Sequence, residues 1–537
     1  MAPVQARHAI VGGPTLQGCL CRKQGVYRRL RALGRRIERS RSPDAVAVSV
    51  APSIRRAPQA EASARAQRLA RNILCFCLLE AVSVTQPGFA QTAQTSPAIA
   101  LSAPTPPPTT DVANSPTPSS SLVIGTLVSP APVITPLTNP AVISPQAQLD
   151  YNLQMPLFGD LPLRQELLEK GIEFTAHYIS QTAANTSGVH GTGTEYAQQV
   201  DFGFGMDLDK LGIWSDAVAR FAMTDRAGTN LTTKTDGYFP YQSIFGQGQN
   251  LRFNEISLEK FLFGKELALK GGFYPMGNDF AQLPYLCNFT NDALCGHPIT
   301  LFDNSGWADA PAGRWTARAK WHITDELQVQ TAVLNSNPLY TRRQDGFKLD
   351  FNGSTGVIVP VEFKYQIGKK PEDYGGTYNL GAYYDSSARA DLANPNISHA
   401  GLYGLYFEGA QQIIKWGPDD TDGLAIFGVY TVSDQNTAKF KNDYEAGVAS
   451  RGVFPGRELD ILSLGWVEAT INQRFQFQEE KSGLPIQTNE QLVELNYAFQ
   501  LTPSLFFRPG VQYDIRPGGT STNPNTWIFD FHVQLTL

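Results

Sequence analysis

Three cations stand close together in one short stretch of the chain: Arg314, Arg318 and Lys320, at i, i+4 and i+6. A planar guanidinium fork can grip a pair of hydroxyls, and an ammonium adds a compact donor. Cations sharing one face repel unless they are paired or used. Asp279 is near enough in the chain to pair with one of them. Arg220 and Arg508 supply further donors, and Asp201, Glu255, Glu259, Glu362 and Glu494 supply acceptors. Tyr274, Tyr285 and Trp307 offer ring faces near the same stretch. Together these groups could bind a ligand that is rich in hydroxyls and apolar on its C–H side.

The elements that must position them are strands. Trp315, Ala317, Ala319 and Trp321 alternate with Arg314, Thr316, Arg318, Lys320 and His322. Just upstream, Leu267, Leu269, Gly271 and Phe273 alternate with Ala268, Lys270, Gly272 and Tyr274. A period of two with one apolar and one polar face marks a strand between two different media. An extended strand points the three cations the same way over about 20 Å. Between the two strands runs a loop of about 39 residues, far beyond an ordinary hairpin connection. It carries Cys287 and Cys295, and a loop this long beside a basic face reads as a constriction inside a barrel.

The first 90 residues are different in kind. They hold 15 of the 44 basic residues and 4 of the 49 acidic ones. Arg65, Arg68 and Arg71 precede an apolar run at 73–79, and Pro87, Gly88, Phe89 and Ala90 follow, the pattern of a signal peptide cleaved after Ala90. Cys19, Cys21, Cys75 and Cys77 would leave with it. What remains has 29 basic against 45 acidic residues, a formal charge of −16, which argues against nucleic acid as a partner. Residues 91–150 are rich in Pro, Ser, Thr and Ala, have almost no charge, and read as a disordered linker. Residues 151–537 are the folded domain.

That domain opens with a short helix over 161–170, with Asp160 as its cap, Glu166 one turn before Lys170, and Gly171 as its stop. Strands follow to the end. The clearest is the last, where Trp527, Phe529, Phe531, Val533, Leu535 and Leu537 alternate with Asp530, His532, Gln534 and Thr536. Nothing in the sequence supplies a second layer to cover so many apolar faces, so lipid must. Strands in lipid must close, because an open edge would leave backbone groups unpaired. Tyr178, Tyr383, Tyr384, Tyr403, Tyr406, Trp466 and Trp527 sit at strand ends and read as interfacial girdles. About fifteen strands can be traced, and single-chain bacterial barrels have even numbers, which predicts 16. The missing strand falls at 238–248 or near 442–448. The fold class is an all-β transmembrane antiparallel barrel with a short N-terminal helix.

Several stretches resemble the carbohydrate-selective outer-membrane porins of the OprB family. They are MPLFGDLPLRQELLEKGI (155–172), IFGQGQNLRFNEISLEK (244–260), GGFYPMGNDFAQLPYLCNFTNDALCG (271–296), WADAPAGRWTARAKW (307–321) and GVQYDIRPGG (510–519). The chain departs from the family pattern at Leu161-Pro162, at Phe273 where an Arg is common, and at its last residue, Leu537. The resemblance implies a 16-stranded barrel in the outer membrane of a Gram-negative bacterium, a monomer that passes small sugars such as monosaccharides by diffusion. On that reading Arg314, Arg318, Lys320, Arg220, Glu255, Glu362, Asp279, Tyr274, Tyr285 and Trp307 would line the pore, with Glu255 and Glu362 opposed to the basic wall. In an oxidising compartment Cys287 and Cys295 would form a disulfide.

Two alternatives remain at this point: a general porin without selectivity and, further off, a barrel-embedded hydrolase. Catalysis has little support. The sequence has no glycine-rich phosphate loop after a strand and no HExxH, and His177, His190, His297, His322, His399 and His532 lie apart. No metal or other cofactor is expected.

Overall fold

A computed structural model describes residues 156–283, 285–368, 373–416 and 423–537. The leader and linker expected at 1–90 and 91–150 lie outside the described residues. The first helix, α1 (Pro162–Glu169), starts from Leu161, and no side chain caps it; Asp160 does not take that role. Proline at the first turn replaces the cap, since its missing N–H is one that would go unbonded anyway. Lys170 meets Glu166 at 2.6 Å, and Gly171 ends the helix at φ +90°. Arg164 ties it to the barrel rim by donating to Leu537 O at 2.7 Å and Phe174 O at 2.8 Å.

The strands on the first half are β1 (Ile172–Asn185), β2 (Thr194–Asp207), β3 (Ala217–Gly228), β4 (Leu251–Leu262), β5 (Leu267–Tyr274), β6 (Arg314–His322), β7 (Leu327–Ser336) and β8 (Gly356–Ile367). Next come β9 (Gly376–Asp385) and a two-residue pair, β10 (Arg389–Ala390) and β11 (Ser398–His399), that forms its own small sheet. The rest are β12 (Leu402–Lys415), β13 (Gly423–Ser433), β14 (Phe440–Arg451), β15 (Ile461–Ile471), β16 (Asn489–Thr502), β17 (Leu505–Ile515) and β18 (Thr526–Thr536). Sixteen of them close into one antiparallel barrel, with β1 paired to both β2 and β18. The missing strand is β14, while 238–248 is loop.

Alternation sorts the side chains. Leu380, Leu405, Phe407, Phe529 and Phe531 are exposed on the outer face, as a lipid-facing band requires. Tyr384, Tyr403 and Trp527 are exposed as girdle residues should be. Tyr383 and Tyr406 are not: they are buried and point inward, where their hydroxyls bond Thr300 O at 3.1 Å and Glu362 at 2.8 Å. Their parity on the strand, which strand-end position alone ignores, decides this.

Long connections cluster at one end of the barrel and short turns at the other, so the long ones are extracellular. The longest, residues 275–313, folds back into the bore. It contains two single-turn helices, α2 (Asp292–Cys295) and α3 (Ile299–Phe302). It stands on two apolar feet. Leu286, Phe289, Leu294 and Ile299 pack against Phe427, Val467 and Leu492. Met276, Phe280, Leu301 and Trp307 pack against Leu334, Ile358, Tyr383 and Tyr406. Each large side chain fully buried this way contributes about 1.5–3 kcal/mol. Both feet lie away from β2 and β3, and the bore stays open on that side.

Candidate functional site

The root of the inward loop is an ion ladder built by register. Glu259 on β4 faces Lys270 on β5, which faces Arg318 on β6. Arg318 donates one arm to Asp279, on the loop, and the other to Glu259. Glu259 also accepts from Arg220 at 2.9 Å. Lys270 Nζ closes the ladder on Glu255 at 3.0 Å and Asp279 at 3.7 Å, and lies 3.8 Å above the Tyr274 ring. Signs alternate along it, so each buried charge is compensated. Burial pushes the Asp279 carboxyl up, but Arg318 and then Lys270 reverse this and hold it well below the usual carboxylate range.

The wall read from the sequence is therefore a foundation, closed over by the loop it holds. Arg318 and Arg314 are each 4% exposed, and Tyr274 and Trp307 are also buried. Arg314 donates to Ala312 O and Gly313 O at the far end of the loop, and its guanidinium lies 5.4 Å from the Tyr340 ring. Trp307 packs edge-on against Tyr383 and Tyr406. Lys320 is half-buried on the same face, and Tyr285 lines a small recess with Gln412 and Arg451. Glu255 and Glu362 do not oppose the basic wall across the bore. Glu255 is on the same wall, two strands away, and Glu362 accepts from Ala281 N at 2.6 Å and Gln330 at 2.8 Å. The disulfide expected between Cys287 and Cys295 is not formed in the structure; Cys287 Sγ donates instead to the Cys295 carbonyl oxygen at 3.2 Å.

Glu362 exemplifies a wider device. Carboxylates on the inner wall catch backbone N–H groups of the loop, which a loop buried in a barrel could not otherwise satisfy. Glu494 accepts from Thr290 N at 2.7 Å and Asn291 N at 2.9 Å. Asp443 accepts from Ile299 N at 3.0 Å, and Asp385 from Gly306 N at 2.8 Å. Arg508 does the converse, donating to Cys287 O at 3.0 Å and Phe289 O at 2.8 Å.

On the side the loop leaves open lies a cavity of about 280 Å³. Its wall is β1–β3 and β18, through His177, Gln199, Asp201, Arg226, His532 and Gln534. The loop faces it with Asn278, Gln282, Asp292, Cys295, His297, Phe302 and Asp309. Arg226 Nε is steered by Gln199 at 2.6 Å, and Gln199 is itself fixed on Asp201 at 2.5 Å. Opposite, His297 meets Asp309 at 2.7 Å and Phe280 O at 3.0 Å. Burial would lower the His297 pKa, but Asp309 overrides it and holds it at about 9. Burial pushes the Asp292 carboxyl up, and the Asp309 charge pushes it further, to about 7, against the pull of Arg226. The result is a guanidinium on the wall and carboxyls on the loop lining one cavity, with amides and imidazoles on both sides of it. Such a set offers donors and acceptors to a neutral hydroxyl-rich solute. Of it, sequence reading singled out Asp201 as an acceptor and Cys295 as half of a loop disulfide. Arg226 was within reach, because it lies on the same strand and the same face as Arg220.

Among the described residues no group of three His, Cys, Asp or Glu side chains is placed to hold a metal ion. The family model described as "Carbohydrate-selective porin, OprB family" matches residues 192–537. Porin B of Pseudomonas aeruginosa is 30% identical over 406 residues, which cover 69% of this chain and 88% of that protein. The high-pH structure of Pseudomonas putida OprB superposes with a TM-score of 0.68 at 28% identity, over 72% of this chain and 99% of that one. With a closed sixteen-stranded barrel, an inward loop held by wall carboxylates, and these matches, the chain belongs to the OprB family of carbohydrate-selective porins.

Proposed function

We propose that small neutral sugars, monosaccharides among them, cross this barrel passively through the cavity between the loop and the β1–β3 wall. The observation that carries the reading is Arg226, fixed by Gln199 and lining one cavity with the carboxyls of Asp292 and Asp309. A pore of this kind selects by exchanging hydration for a few well-placed hydrogen bonds, loose enough to let the solute leave. The ladder of Arg318, Asp279 and Glu259 then works indirectly, by fixing the loop that defines the gap. Arg314, on the same strand, stiffens its far end, and Lys320 adds to the field at Asp279. In this reading the chain works as a monomer, residues 1–90 are removed on export, and residues 91–150 tether the barrel. Cys287 and Cys295 join in the oxidising periplasm or beyond and hold the loop in shape.

The test is the current through single channels in a planar bilayer. Arg226→Ala should raise conductance and weaken glucose block about tenfold, the worth of one charge-assisted hydrogen bond. Unchanged glucose block in a correctly folded Arg226→Ala protein would exclude this cavity as the sugar path.

A further inference from the structure

A second constellation stands at the extracellular mouth, built by four connections. The Lys439 ammonium sits 4.2 Å from the centre of the Tyr238 ring, 5.1 Å from Phe475 and 5.5 Å from Phe440. The rings are held firmly. Tyr238 N donates to Glu490 at 2.8 Å, and its ring meets Phe440 edge-on with centroids 5.0 Å apart. Phe475 belongs to the helix α4 (Gln473–Lys481), whose cap Asn472 donates to Gln435 O and Ala438 O, each at 2.9 Å. Phe440 exchanges hydrogen bonds with Asn304, at 3.0 and 2.6 Å, which places the inward loop's Asp303 beside the group.

Three rings hold the cation by their faces, an attraction that fixes its position without using its N–H donors. No described residue accepts a hydrogen bond from Lys439 Nζ, although Asp303, Glu479 and Glu490 all act on its charge. Glu479 and Glu490 are committed elsewhere, to Gln487 N and to the amides of Tyr238, Phe239 and Gly518. Asp303 is exposed, and its carboxylate has no described hydrogen-bond donor. One free donor and one free acceptor are thus presented together, beside half-buried rings. The neighbours Phe302 and Pro240 line the cavity, so the group stands on the way into it.

We propose that Lys439 and Asp303 form an outer subsite that captures a neutral, hydroxyl-rich ring before it enters the cavity. The charge count chooses this ligand class. Asp303, Glu479 and Glu490 together outweigh the one ammonium, since desolvation pushes the Asp303 carboxyl up only to about 6, so near neutral pH a sugar acid meets net repulsion, whereas a polyol gains both a donor and an acceptor. The proposal rests on the sugar-porin reading and adds a site to it.

The experiment is single-channel block by glucose and by gluconate, added separately to the long-loop side and to the opposite side. Lys439→Gln and Asp303→Asn should each slow glucose block from the long-loop side about tenfold and leave block from the opposite side within twofold. Lys439→Arg, which keeps the cation over the rings, should stay near wild type. Asp303→Asn should also admit gluconate better than wild type does. Asp303 is exposed, so its variant decides the matter even where the lysine variants disturb the loops. Unaltered long-loop-side block in Asp303→Asn would overturn the subsite. A wild-type channel blocked by glucose from neither side would overturn the sugar reading itself.

Discussion

Arg318 is the residue on which the constriction depends. It is 4% exposed and bonds two carboxylates that belong to different elements, Glu259 on β4 and Asp279 on the loop. Removing one member of a buried ion pair leaves its partners uncompensated, at a cost of about 3–5 kcal/mol. Arg318→Ala should therefore lower the temperature at which the barrel loses its heat-modifiable mobility on a gel, and raise open-channel noise. A variant as stable and quiet as wild type would mean the ladder holds nothing. His297 supplies a pH dependence. Its folded pKa of about 9 lies above its ordinary value of about 6.5, so the charge on it stabilises the loop fully below about pH 6.5. That stabilisation is lost as pH rises through about 9. Channel noise should grow between pH 8 and 10, and His297→Gln should abolish the change. At this scale the sequence revealed which residues share a face but not which are covered. The parity of Arg314, Arg318 and Lys320 was readable; that the loop would fold onto them depends on Asp279, and on feet such as Phe289 and Trp307 that no local pattern exposes.

Strands were readable wherever lipid and water face opposite sides. β18 alternates clearly because its outer face is apolar from Trp527 to Leu535 and its inner face is polar at every position but Ile528, which joins the apolar foot of the loop. β14 escaped notice because its outer residues include Ala446 and the strand carries Gly447, Asn442, Asp443 and Glu445, so the alternation is weak. Those same acids are what the inward loop needs from the wall, as Asp443 shows at Ile299 N. Close strand contact is also written in glycine. Gly272, at φ +149°, leaves only 2.2 Å between a built Cβ and Ile256 O. Gly272→Ala should cost about 1–3 kcal/mol, read as a lower midpoint in the same gel assay. For the loop itself, a Cys287–Cys295 disulfide would close a ring of about nine residues and contribute about 2–3 kcal/mol in the chain-entropy account. Mass spectrometry of unreduced, alkylated protein should find the pair two hydrogens lighter than two thiols; two alkylated cysteines would exclude the bond.

The described residues form a barrel of the outer membrane of a Gram-negative bacterium, and its architecture divides labour around the bore. The β5–β9 wall and the β13–β16 wall carry the loop, while β1–β3 and β18 are left to face what passes. Closure, strand number and membrane setting were legible because they follow from alternation and from the rule that lipid tolerates no open edge. Which wall stays open was not, since it depends on where a folded loop rests. The most direct test of the account is the swelling of liposomes that contain the protein purified from outer membranes, in isosmotic glucose against amino acids and sugar acids of similar size. Selective passage through a cavity of neutral donors and acceptors predicts that glucose enters several times faster than either. Equal rates for all three would contradict it.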